Sequence, residues 1–269
     1  MALLSRRRNP EGRMSLGDHL RELRRRVLWS ALGIVLGGVL GWIYYNPLLN
    51  VLTAPMEEIR KARGNDSIGL NFGGLTQAFS VQLKVALFVG IIVSSPVWLY
   101  QVWAFIVPGL TKRERRTALA FIAAAVPLFL VGCALALHTM PRVVEVLFSF
   151  TPQGSFNFTN ASDYLTFVTR FILAFGLAFL LPVLLVALNA AHVLPARVML
   201  KGWRVAVMLI FLFAALMTPT PDAWTMLVLA LPMVGLFYLA VGVAALLDRK
   251  RARSRPDWGD VPDDEASEL

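Results

Sequence analysis

Polar residues interrupt this chain only at long intervals. Largely uncharged apolar stretches run over about residues 27–46, 79–107, 118–140, 163–190, 203–217 and 223–246. About 20 consecutive apolar residues are enough for a helix to cross the hydrocarbon core of a bilayer. The pattern predicts an all-α polytopic membrane protein with six transmembrane helices. The short alternating segments of a transmembrane barrel do not occur. Ahead of the first stretch, SLGDHLRELRRRV places Leu16, Leu20, Leu23 and Val27 on one helical face. Ser15 and Asp18 have the spacing of a capping box. This segment is expected as an amphipathic helix that lies along the interface and then turns into span one.

Prolines punctuate the spans. Pro96, Pro127, Pro182 and Pro232 fall inside spans two, three, four and six. Each removes a backbone donor and crowds the preceding turn, which bends a helix. Two readings stand side by side: a curved, proline-kinked bundle with a concave face, or the general tolerance of membrane helices for proline. Span five, residues 203–217, reaches only about 22 Å at 1.5 Å per residue, short of a core of about 30 Å. With span six it makes a squat hairpin, which thins the bilayer locally or takes a partner helix. The loops 47–78 and 141–162 carry Val51, Leu52, Phe72, Phe156 and Phe158, so they are expected to fold as a cap. There is no internal repeat.

Composition fits this picture. Of 269 residues, 57% are hydrophobic and 16% charged, too apolar for a soluble domain of this length. The net charge of +9 could signal nucleic acid, but its distribution follows the positive-inside rule instead. On the proposed spans, 20 of the 26 Lys and Arg residues fall on one side: in the N-terminal arm, the 108–117 loop, the 191–204 segment and the tail. Both termini are therefore expected in the cytoplasm. Lys84 and Arg170 lie one to two turns inside spans two and four and are expected to snorkel to the outer interface. The domain reading is a basic arm and amphipathic helix over 1–26, a six-helix membrane domain over 27–246 and a disordered cytoplasmic tail over 247–269. The first apolar run starts too far in for a cleavable signal peptide.

Chemistry is sparse. The single Cys133 can form no internal disulfide, and the three histidines, His19, His138 and His192, belong to no HExxH motif. No GxSxG or Walker sequence occurs. No metal, no cofactor and no enzymatic activity are expected. Two acids stand out because they sit among cations on the cytoplasmic side: Glu22 within HLRELRRRV and Glu114 within TKRERR. Glu22 can pair locally with Arg26 at i+4, a contact of about 0.3–0.5 kcal/mol, and Glu114 can be a solvated turn residue. Asp222, in the turn before span six, reads as an N-cap.

HLRELRRR at 19–26 and SSPVWLYQVWAFIVPGLTKRERR at 94–116 resemble the TatC family, the large subunit of the twin-arginine protein translocase. TAP at 53–55, ASDYLTF at 161–167, AFG at 174–176 with the following Pro182, and the TP and PD pairs before span six fit the same family. The resemblance covers about residues 14–246. It implies a signal-peptide receptor and translocase core in the bacterial cytoplasmic membrane, exporting folded proteins with the proton-motive force and no nucleotide. Glu22 and Glu114 would accept hydrogen bonds from the paired arginines of the signal, with Arg24 organising the site and Leu20, Gln101, Phe105 and Pro108 near it. Pro55, Phe79, Pro96 and Asp222 match further positions of structural or functional weight. Partners would be the small single-span subunits of TatA and TatB type, docking beside the hairpin of spans five and six within a larger oligomeric complex.

The chain departs from the family at Leu180, where many members carry glutamate, and at Met226, where glutamine is common. Thr220 or Thr225 could supply the missing polarity for docking. A small-solute secondary transporter is the alternative reading. It is opposed by the missing repeat and the absence of a mid-membrane carboxylate. An intramembrane enzyme lacks a nucleophile, a base and metal ligands.

Overall fold

In a computed structural model of the chain, the described residues are 16–62, 68–106, 112–150, 157–190, 193–217 and 223–253. They form helices α1 (Leu16–Ile43), α2 (Tyr45–Ala62), α3 (Leu75–Val93), α4 (Ser95–Ile106), α5 (Lys112–Ser149), α6 (Ala161–Phe179), α7 (Leu181–Ala190), α8 (Ala196–Lys201), α9 (Trp203–Met217) and α10 (Ala223–Arg253). Strands β1 (Ile68–Asn71) and β2 (Asn157–Asn160) pair in parallel, Ile68 opposite Asn157 and Asn71 opposite Asn160. Among the described residues, five apolar helical stretches are long enough to cross a membrane: Gly17–Ile43, Thr76–Val93, Leu119–Ser149, Ala161–Ala190 and Met226–Ala252. The sixth, Trp203–Met217, is apolar but short, as the sequence pattern predicts.

Several boundaries differ from expectation. The segment before span one does not turn; α1 is one unbroken helix from Leu16 through Ile43. No proline interrupts it, and the Ser30 hydroxyl returns to the Arg26 carbonyl at 3.0 Å within it. Span two is two helices, α3 and α4, and span four is α6 and α7. Pro96 and Pro182 fall at the second residue of α4 and α7 respectively, where a helix requires no backbone donor. Pro127 and Pro232, by contrast, lie within the continuous helices α5 and α10. The expected loop 47–78 holds a helix and a strand, and helix α5 extends through 141–149 of the other loop. Ser15, which would cap α1, and most of the tail lie outside the described residues.

The chain divides into two compact units, Met1–Leu130 with Phe148–Arg170, and Val131–Leu147 with Phe171–Leu269. In the first, α1 packs along α3 and α4. A Cβ on Gly90 of α3 would stand 2.4 Å from the Ile34 carbonyl oxygen of α1, so only glycine permits this approach. At the break between α3 and α4, the Trp98 indole donates to the Ile91 carbonyl at 2.9 Å. The buried Tyr164 hydroxyl of α6 donates to the Leu52 carbonyl of α2 at 3.1 Å. Pro55 has no N–H for the Val51 carbonyl one turn back, so this part of α2 is a helix whose ladder is already open.

In the second unit, α10 packs on α7, α8 and α9, with Leu229, Ala230 and Ala244 fully buried. Its last turns carry a polar clasp. Asp248 accepts from Asn189 Nδ2 at 3.1 Å and from the Ala196 backbone N–H at 2.9 Å. Arg251 donates to the carbonyls of Asn189 and Ala190 at 3.0 and 3.1 Å. A carboxylate thus meets the start of α8 and a guanidinium the end of α7, each at the pole that favours its charge.

Candidate functional site

Glu22 occupies the second turn of α1, and its side chain is 21% exposed. One oxygen, Oε1, accepts from Arg26 Nε at 3.1 Å and from Arg26 Nη2. The local i+4 pair therefore forms. The other oxygen, Oε2, is buried and has no hydrogen-bond partner among the described residues. A carboxylate has about four lone-pair sites, so the local pair leaves acceptor capacity unused. Leaving a buried acceptor unmet costs about 1–3 kcal/mol, more for a charged group.

Aromatic contacts fix where this turn sits. The His19 ring, three residues before Glu22, stacks on Phe105 at the end of α4, with centroids 4.6 Å apart and planes 27° apart. Gln101, one turn earlier on α4, is half-buried. Trp103 is 3% exposed and stacks on Phe121 of α5 at 3.9 Å. Its Nε1 is buried without an acceptor among the described residues. The start of α1 and the end of α4 thus carry, among the described residues, an anionic acceptor on one helix and a donor on the other that have no partner.

The structure brings Glu22 and Phe105 to neighbouring turns of packed helices, linked by His19. Leu20 is 63% exposed and Arg24 is exposed, so both face away from the helix packing. The side chain of Glu114 and the whole of Pro108, Thr220 and Asp222 lie outside the described residues, as does the side chain of Thr225. Pro55 is buried in α2, while Phe79 is largely exposed and meets Trp42 edge-on at 5.8 Å. Pro96 opens α4, Leu180 sits at the junction of α6 and α7, and Met226 is half-buried in the first turn of α10. Sequence reasoning overlooked His19, Trp103 and Tyr164 as positioning groups. The available signal was spacing: His19 lies one turn before the acid and shares its side of the helix.

Comparison with known proteins gives this arrangement a family. A family model for the Sec-independent protein translocase protein TatC matches residues 18–232. The TatC of Xylanimonas cellulosilytica is 50% identical over 241 residues, covering 90% of this chain and 87% of the relative. That of Rothia mucilaginosa is 35% identical over 250 residues, covering 93% and 85%. A crystal structure of the twin-arginine translocase receptor TatC in DDM superposes with a TM-score of 0.68 at 26% identity, covering 84% of this chain and 99% of that one. The extent of these matches, over the same helices that carry Glu22 and Phe105, makes this multi-pass membrane chain a member of the TatC family of protein translocases.

Proposed function

We propose that this chain is the signal-peptide receptor and core subunit of a twin-arginine translocase, exporting folded proteins across the bacterial cytoplasmic membrane with the proton-motive force. The observation that carries the reading is the Glu22 carboxylate, half-committed to Arg26 and with its second oxygen buried and without a partner among the described residues. A guanidinium offers a planar fork of donors that can satisfy such an oxygen, often through two parallel bonds. Glu114, on the segment that opens α5, would take the second arginine. The receptor description of the related crystal structures supports the same assignment. Both termini lie in the cytoplasm on this reading, and small single-span subunits of TatA and TatB type dock beside α9, the shortest span.

Charge-assisted hydrogen bonds contribute about 1.5–3 kcal/mol each, or roughly 10- to 100-fold in affinity. The test places a photo-crosslinking residue at position 22, and separately at 114, in membranes exposed to a signal peptide with two arginines. Crosslinks from both positions are expected, and both should fade when the arginine pair is replaced by lysines, which lack the fork. Equal crosslinking of the arginine and lysine peptides, or none from either position, overturns the receptor role.

A further inference from the structure

Lys84 and Arg170 form an unclaimed cationic face in the first unit. Lys84, nine residues into α3, is exposed and reaches across to α6, where Nζ donates to Ser162 Oγ at 2.7 Å and Thr166 Oγ1 at 2.8 Å. Both partners are neutral, so they orient the ammonium without neutralising it. Ser162, Thr166 and Arg170 recur every four residues along α6, which puts them on one stripe. Helical side chains lean toward the N-terminus, so Arg170 leans back over Thr166. Arg170 is exposed and has no hydrogen-bond or ion-pair partner among the described residues. Asp163, the acid nearest in sequence, makes no ion pair with either cation.

Two uncompensated cations inside membrane-spanning helices are costly. A ligand that offsets the cost must be anionic and rich in acceptors. The face supplies donors only: the third N–H of Lys84, the guanidinium fork of Arg170 and the Ser162 hydroxyl hydrogen. The Thr166 hydroxyl is already spent on the Ser162 carbonyl at 2.6 Å. Beside them on α3, Phe79, Leu83 and Leu87 are exposed, an apolar surface suited to acyl chains. We propose that Lys84, Arg170 and Ser162 hold the phosphate of an anionic phospholipid headgroup, at the membrane boundary where α3 and α6 begin. The inference is independent of the receptor role of Glu22.

Delipidated full-length protein, titrated with phosphatidylglycerol, tests the site by native mass spectrometry and thermal melting. Parallel arms use a phosphate-free diglucosyl diacylglycerol and inorganic phosphate. Wild type should gain thermal stability from phosphatidylglycerol alone. The Lys84→Gln/Arg170→Gln variant should retain one fewer lipid per chain and lose that gain. The charge-conserving Lys84→Arg/Arg170→Lys variant should keep it. Arg170→Gln removes no internal bond, so it reports on the lipid even if the double variant fails to fold. The proposal falls if Arg170→Gln or the double variant keeps the full phosphatidylglycerol effect. It also falls if the glycolipid protects equally, or if inorganic phosphate substitutes for the lipid.

Discussion

A carboxylate with one oxygen paired and the other waiting behaves differently from a fully satisfied one. Replacing Glu22 by Gln keeps the shape and removes the charge, so affinity for a twin-arginine peptide should fall roughly 10- to 100-fold, measurable by fluorescence anisotropy in nanodiscs. His19 acts on the same site indirectly, through its stack on Phe105. Aromatic pairs contribute about 0.5–1.5 kcal/mol beyond burial. His19→Ala should therefore lower the melting temperature in detergent by about 2–4 °C and weaken peptide binding, while His19→Phe restores both. Tyr164→Phe deletes only the hydroxyl that reaches the Leu52 carbonyl. A loss of about 1 kcal/mol is expected, with peptide binding unchanged because neither Tyr164 nor Leu52 belongs to the proposed signal site around Glu22.

Between elements, backbone proximity sets the limits. α1 and α3 approach so closely at Gly90 that any side chain there strikes the Ile34 carbonyl. Gly90→Val should destabilise the protein by about 1–3 kcal/mol or more, seen as a large drop in melting temperature. Gly235 of α10 has nothing within 4 Å of the position its Cβ would take. Gly235→Ala should leave stability unchanged or slightly raised, since alanine is the better helix former. The helix breaks obey a related rule. Proline is tolerated without cost at the start of α4 and α7, and the Trp98 indole bridges the first of these junctions by bonding the Ile91 carbonyl. Such devices were invisible in the apolar runs, because hydrophobic periodicity reports burial and not where the backbone ladder opens.

For the molecule as a whole, the proposed topology is checked by single cysteines in a Cys133→Ser background. Cysteines at positions 5 and 114 should react with an impermeant maleimide only after the inner face is opened, and one at position 60 from outside intact cells. The reverse pattern would place Glu22 on the wrong side of the membrane for a cytoplasmic signal. The apolar runs alone determined the helical membrane class and six apolar segments including the short one at 203–217, while the charged motifs at their ends, such as HLRELRRR and TKRERR, gave the residues around which a family could be recognised. The apolar runs could do so because the low dielectric of a bilayer demands long uncharged helices and writes that demand into composition. The Glu22–Arg26 pair was legible for the same local reason: both residues lie one turn apart on one helix. Only the tertiary structure decided that the second Glu22 oxygen has no partner among the described residues, that His19 meets Phe105, and that Lys84 reaches Ser162 and Thr166. Those contacts join residues about 80 or more positions apart in the chain, and which of them meet depends on how closely helices approach, a quantity that no single segment encodes.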